Sequence, residues 1–319
     1  MALSDWPHDV SPFHRGEQAV QARVGSRERM AQVGQRAMRA AMPDQHREFF
    51  ALLPFVVLGA TDGAGQPWAT LIAGANAGFV SSPDATHLRV DTLPPHDDPL
   101  ANLLQPGAQL GVLGIELQTR RRNRANGRIG ARDEHGFVLH VEQSFGNCPK
   151  YIQRREALPQ AMSIEAPAAQ RATRLQATSA ALVRRADTFF IATHAALDGP
   201  GGGSDVSHRG GLRGFVQVGD DGRTLTWPDF AGNHFFNTLG NIAIEPRAGL
   251  VFPDFATGAL LHVAGRAEIV WGGPELSGFA RAERLVRMHV DEVLYRPSAL
   301  PLRWRLTEVS RALEGTGVW

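Results

Sequence analysis

Apolar residues along this chain fall mostly into short runs broken by Gly, Pro and Asp, a pattern of short strands rather than long helices. Phe55-Val56-Val57-Leu58-Gly59 reads as a buried strand, Asp62-Gly63-Ala64-Gly65 as a turn, and Trp68-Ala69-Thr70-Leu71-Ile72 as the partner strand. Further short strands follow, ending with Phe137 to Val141, and such a series suggests a barrel. Ahead of them, Met30, Val33, Met38, Ala41 and Met42 recur at helical spacing, and Asp44 is placed to cap a short helix carrying Phe49, Phe50, Leu52 and Leu53. The Ala-, Gln- and Arg-rich stretch from about Glu156 to Arg185 reads as a helical connector. The β pattern then restarts at Thr188 to Thr193. Pro200 to Ser204 reads as a flexible loop, Glu283 to Tyr295 as a late helix, and Leu302 to Leu306 as a strand.

The pattern occurs twice. Gly78-Phe79-Val80, Thr86 to Val90, Asn102 to Pro106 and Gly127-Arg128-Ile129 are answered by Gly214-Phe215-Val216, Thr224 to Trp227, Asn241 to Pro246 and Gly265 to Ile269. The offset stays near ~138 residues, far beyond a solenoid period, so two copies of one domain-sized β unit are expected. The expected organisation is a helical segment over 1–47, a first barrel over 48–155, a helical connector over 156–186 and a second barrel over 187–319. The fold class is mainly β with flanking helices.

A chain of 319 residues can hold two domains that each bury a core. Its formal net charge of +1 offers no global field toward nucleic acid or an anionic membrane. The lone cysteine, Cys148, excludes an internal disulfide framework and fits a reducing cytoplasm. The N-terminus lacks the basic-then-apolar pattern of a secretory signal, and no apolar run is long enough to span a membrane. Arg120-Arg121-Arg122-Asn123-Arg124 has no interleaved aromatics, so it reads as the exposed or groove-facing end of a strand and not as a nucleic-acid platform. The histidines show no zinc-ligand spacing, and no metal is expected.

Candidate chemistry lies where the copies differ. Asp205-Val206-Ser207-His208-Arg209-Gly210-Gly211 combines a guanidinium fork, a hydroxyl and two glycines, the donors a phosphate monoester needs. A plain turn with a solvated Arg is the competing reading. Copy one has Gln66-Pro67-Trp68-Ala69-Thr70 in that place and no cation. Conversely, Asn147-Cys148-Pro149-Lys150-Tyr151 closes copy one, with Pro149 suited to a helix start that presents Lys150 and Tyr151, and copy two has no counterpart. This complementary loss points to one composite site between the halves. Trp227 to Thr238 adds Asp229, Asn233 and Asn237 at a strand end, as ligand contacts or helix caps, while Phe235 and Phe236 read as core. No acid, base or nucleophile stands out, and the sequence assigns no catalytic residue.

Taken together, Phe13-His14-Arg15-Gly16-Glu17, Ser144 to Arg155, Ala186 to Phe190, Asp205 to Gly211, Gly232 to Gly240 and Gly265-Arg266-Ala267 resemble the pyridoxamine 5'-phosphate oxidase-like superfamily, in its bacterial tandem-barrel form. The resemblance implies two split β-barrels with FMN in the groove between them. It implies a cofactor set of Ser207, His208, Arg209, Asp229, Asn233 and Asn237 from the second barrel, with Lys150 and Tyr151 from the first. Ser207 and Arg209 would take the phosphate, and Lys150 the phosphate or the flavin ring. The longer basic set of true pyridoxamine phosphate oxidases is missing, which argues against vitamin B6 oxidation. An oxidoreductase acting on a small molecule is implied, with electrons from a separate reductase or NAD(P)H, because the chain has no Gly-x-Gly-x-x-Gly and no cysteine cluster. A flavin or haem carrier without turnover is the alternative. A homodimer is compatible with this arrangement.

Overall fold

The computed structural model describes residues 6–76, 78–158, 167–197, 199 and 201–319. Helices α1 (Arg15–Arg23), α2 (Arg27–Ala37) and α3 (Asp44–Ala51) come first. Seven strands follow: β1 (Phe55–Thr61), β2 (Pro67–Ala73), β3 (Val80–Asp84), β4 (His87–Val90), β5 (Gln109–Glu116), β6 (Arg121–Arg132) and β7 (Phe137–Gly146). The link carries β8 (Arg154–Leu158), β9 (Gln170–Ala172) and α4 (Ala177–Arg185). The second unit holds β10 (Thr188–Ala195), β11 (Gly203–Gly210), β12 (Gln217–Val218), β13 (Thr224–Phe230), α5 (Asn237–Ile244), β14 (Arg247–Pro253), β15 (Leu260–Val270), α6 (Pro274–Gly278) and β16 (Ala282–Arg296). Strand β17 (Arg303–Glu308) follows.

The two main sheets share one topology. Their orders are β2-β1-β5-β6-β7-β4-β3 and β11-β10-β14-β15-β16-β13-β12, so each strand of the first has its counterpart in the second. These are two tandem split-barrel units, mainly β with flanking helices. Each closes over its own core, built on Leu58, Val112 and Phe137 in the first and on Phe189, Trp227 and Leu250 in the second. A third core joins them, where Phe55, Val57 and Leu113 meet Phe190, Val206 and Val251. Alternation along β1 and β10 explains this: one face turns into its own unit and the other toward the partner unit. Both faces are buried, which is why these strands read as unbroken apolar runs.

Four readings of the sequence are corrected. Glu283 to Tyr295 is strand, not helix: β16 buries Val286, Met288 and Val290 in alternation. Asp291 is the extra residue of a bulge, because Val290 pairs with Gly265 and Glu292 with Ala264. The bulge resets the parity, so Val293 rejoins the same core, and the Val290-to-Val293 step imitates helical spacing. Among its described residues the 156–186 connector is helical only in α4, since β8 pairs with β17 and β9 with β16. Open strand edges recruit the link's backbone donors and acceptors; residues 159–166 lie outside the described set. Asp44 does not cap α3: the N-cap is Pro43, and Asp44 pairs with Arg47 at 2.8 Å. Within the loop expected at Pro200 to Ser204, Gly203 and Ser204 belong to β11 and Pro200 lies outside the described residues.

Candidate functional site

A cleft enclosing about 820 Å³ out to its open mouth lies on the seam between the units, a size suited to a small organic ligand. Asp205 to Gly210 is strand and not turn, and alternation sets Asp205, Ser207 and Arg209 on one face of β11. His208 points the other way, its ring 5.7 Å from that of Phe190, and still borders the cleft. The end of β13 brings Asp229, the following loop Asn233, and the start of α5 Asn237. From the first unit, the loop after β7 brings Lys150 and Tyr151. All eight residues singled out in the sequence therefore border one cleft. Sequence reading placed Arg122 and Arg124 only at an exposed or groove-facing strand end, and β6 directs both into the cleft; it did not single out Asn147, His234 and Thr238, which also border it. The signal was the i, i+2 spacing of two arginines on a strand, which puts both on one face.

Pro149 does not start a helix. Tyr151 takes the left-handed conformation (φ 67°), which stops helical propagation, and its hydroxyl donates to the Ala231 carbonyl at 2.9 Å. Asn233 accepts from the Phe235 amide at 3.1 Å, a local turn and not a helix cap. The N-cap of α5 is Phe236, left-handed at φ 61° and without a side-chain cap bond. With His234 (φ 63°), three left-handed non-glycine residues border the cleft. Such strain costs about 1–3 kcal/mol per residue and gathers at ligand clamps. The uncapped α5 start also presents first-turn N–H groups and the positive end of its dipole.

A buried network fixes the wall. Ser207 donates to Asp205 at 3.1 Å, accepts from Thr238 at 2.8 Å and accepts from Arg124. Its hydrogen-bonding capacity is filled, so it serves to hold Arg124. Arg124 also donates to Asn237 Oδ1 at 2.8 Å and lies 3.3 Å from Asp205. Asn237 donates to Glu17 Oε1 at 2.6 Å. Glu17 and His14 form a capping box on α1, and His14 Nε2 lies 2.8 Å from Asn241 Oδ1. Helices α1 and α5 approach this closely because glycines stand at the crossing: a Cβ on Gly16 would lie 2.2 Å from the Gly240 carbonyl oxygen. The N-terminal segment thus buttresses the α5 start.

The cleft is electropositive. Four cations line it, Arg122, Arg124, Lys150 and Arg209, against one carboxylate, Asp229. Burial, and then the charges of Arg124 and Arg209, bring Arg122 down to about 9, still cationic at neutral pH. Burial also lowers Arg209, opposed by Asp229, whose own pKa burial raises. His208 is held well below its ordinary value by burial and by Arg122, Arg209 and Arg155, so it is neutral. Arg209 Nε lies 3.9 Å from Asp229 and makes no hydrogen bond, and Asn147 Oδ1 and His234 Nδ1 are also buried without partners. Crowded like charges and the open Arg209 donor favour an anion, while the open Asn147 oxygen, an acceptor, suits an N–H or O–H group of the same ligand.

The symmetry-related place is closed. Matching the bulged strands at Gly127 and Gly265 sets Thr70 opposite Ser207 in the repeat and Ile72 opposite Arg209, a shift from the Gln66-to-Thr70 match expected. His262 then stands for Arg124, and Arg296 for Asn147. Arg296 fills its place, donating to Asp98 and Asp97 at 2.7 Å each, while Thr70 donates to Asp98 at 2.5 Å. Among the described residues no cluster of His, Cys, Asp and Glu is arranged to hold a metal, and no helix is long and apolar enough to cross a membrane.

Residues 175–308 match the family described as Pyridoxamine 5'-phosphate oxidase. No curated protein matches the chain. Among solved structures, a putative pyridoxamine 5'-phosphate oxidase from Lactobacillus delbrueckii is 19% identical, covering 38% of this chain and 94% of its own, with a TM-score of 0.31. The FAD-binding protein of Mycobacterium smegmatis is 18% identical over 40% of this chain and 98% of its own, at 0.26. HupZ of Group A Streptococcus is 15% identical over 43% and 98%, at 0.30. Scores at this level carry no functional argument. The family match lies in the second unit, whose strand order the first unit repeats.

Proposed function

We propose that this protein binds FMN in the cleft between its units and acts as an oxidoreductase on a small molecule, drawing electrons from a separate reductase or from NAD(P)H. One observation carries the reading: Arg209, with open donors, faces Arg122, Arg124 and Lys150 across a seam whose floor is the uncapped start of α5. The residues fit a phosphate monoester dianion. Arg209 and the α5 amides take its oxygens, Lys150 adds a cation from the facing wall, and Ser207 sets the position of Arg124. Asn233 and His234 offer polar contacts along the same wall. When bound, the flavin ring supplies hydride and electron transfer. The protein's part is orientation and a positive field that favours negative charge on the ligand.

The test is the absorption spectrum of the purified protein, the mass of the released cofactor, and NADH or NADPH oxidation against quinones, nitro compounds and oxygen. A flavin doublet, FMN by mass and turnover with one acceptor are expected. A Soret band, or FMN held without turnover under any donor and acceptor, moves the reading to a carrier. Colourless protein that takes up no FMN removes it.

A further inference from the structure

A second cavity, away from the cleft, encloses about 680 Å³ between α4, the start of β10, the loop after β14 and the β8–β17 ribbon. Arg155 lines it and is 5% exposed. Its Nη2 meets Asp187 at 2.6 Å, its guanidinium lies 4.0 Å over the Phe255 ring, and its Nη1 is buried without a partner. On the rim, Arg185 pairs with Asp254 at 2.7 Å, and Arg213 is exposed with no acceptor among the described residues. The lining charges are three guanidinium groups and two carboxylates. Two are matched, Arg155 by Asp187 and Arg185 by Asp254, so one positive charge is left over, beside one open buried donor. Leu182, Phe255 and Leu306 supply an apolar wall. A buried N–H without an acceptor is costly, and a guanidinium fork is shaped for a carboxylate.

We propose that this cavity binds a small amphipathic monocarboxylate, its carboxylate between Arg155 Nη1 and Arg213 and its apolar body against Leu182, Phe255 and Leu306. A dianion suits it less well, because only one charge is uncompensated. The site is distinct from the cleft: none of the cleft cations lines it.

Isothermal titration of the full chain with octanoate, acetate and the neutral methyl ester of octanoate tests this. Saturable binding of one octanoate per chain is expected, with acetate and the ester each at least about tenfold weaker. Arg213→Ala, at an exposed position, should weaken octanoate about tenfold. Arg155→Lys should weaken it too, but Arg213→Ala is the deciding variant because Arg155 also holds a buried carboxylate. Arg209→Ala should leave octanoate binding unchanged. No saturable octanoate binding, or equal affinity for the ester, overturns the proposal. So does a loss seen with Arg209→Ala and not with Arg213→Ala, which places the carboxylate in the first cleft.

Discussion

Replacing Arg209 with Ala tests the proposed phosphate grip directly. The side chain is 20% exposed, its Nη1 is tied to the His208 carbonyl at 3.0 Å, and Asp229 stands 3.9 Å from Nε. Two charge-assisted bonds to phosphate are available to the remaining donors, each contributing about 1.5–3 kcal/mol. The low end applies, because Asp229 already offsets part of the charge and solvent reaches the group. Loss of both then costs about 3 kcal/mol, about a hundredfold in Kd. The fold should survive, because Asp229 keeps Arg284 at 3.4 Å. The assay is flavin fluorescence titration of wild type and variant with FMN and with riboflavin, which lacks the phosphate. The wild type should prefer FMN strongly and the variant should lose most of that preference, while riboflavin affinity barely moves. An unchanged FMN-to-riboflavin ratio would refute the assignment, and an equal fall for both ligands would move Arg209 to the ring or the scaffold.

Three further outcomes are expected. FMN titration should break at one cofactor per chain, because Arg296 and its two aspartates close the symmetric place; a break at two would show that place to be open. Gly240→Ala would put a Cβ 2.4 Å from Glu17, so the urea midpoint should fall by an amount equivalent to about 1–3 kcal/mol, with weaker FMN binding as α5 shifts; an unaltered midpoint would mean the α1–α5 crossing is loose. Burial, aided by Arg296, holds His262 at about 3, so in the folded state it is neutral while the unfolded side chain titrates near the ordinary histidine value of 6.5. Below that pH the unfolded chain binds more protons, and stability present above 6.5 is lost as pH falls toward 3. His262→Gln, able to keep the bond to the Ala69 carbonyl, should flatten the urea midpoint over that window; an equal slope in both proteins would acquit His262.

The amino-acid sequence determined the local and the repeated. Short apolar runs with Gly and Pro between them specify strands, and the recurrence of those runs specifies two like units. The one-sided placement of Arg209 and of Lys150 was equally plain, since neither has a counterpart in the other copy. Only the tertiary structure decided what those residues meet. Arg122 and Arg124 reach the cleft because β6 of one unit packs against β11 of the other, and no spacing along the chain encodes that contact. Glu17 supports Asn237 across more than two hundred positions (220 apart) through a helix crossing that needs two glycines. β16 read as helix because a single bulged residue turns a period of two into a step of three. Periodicity is a property of neighbours along the backbone, whereas a site is a property of neighbours across a packed seam, and burial, charge crowding and open donors exist only once that seam has closed.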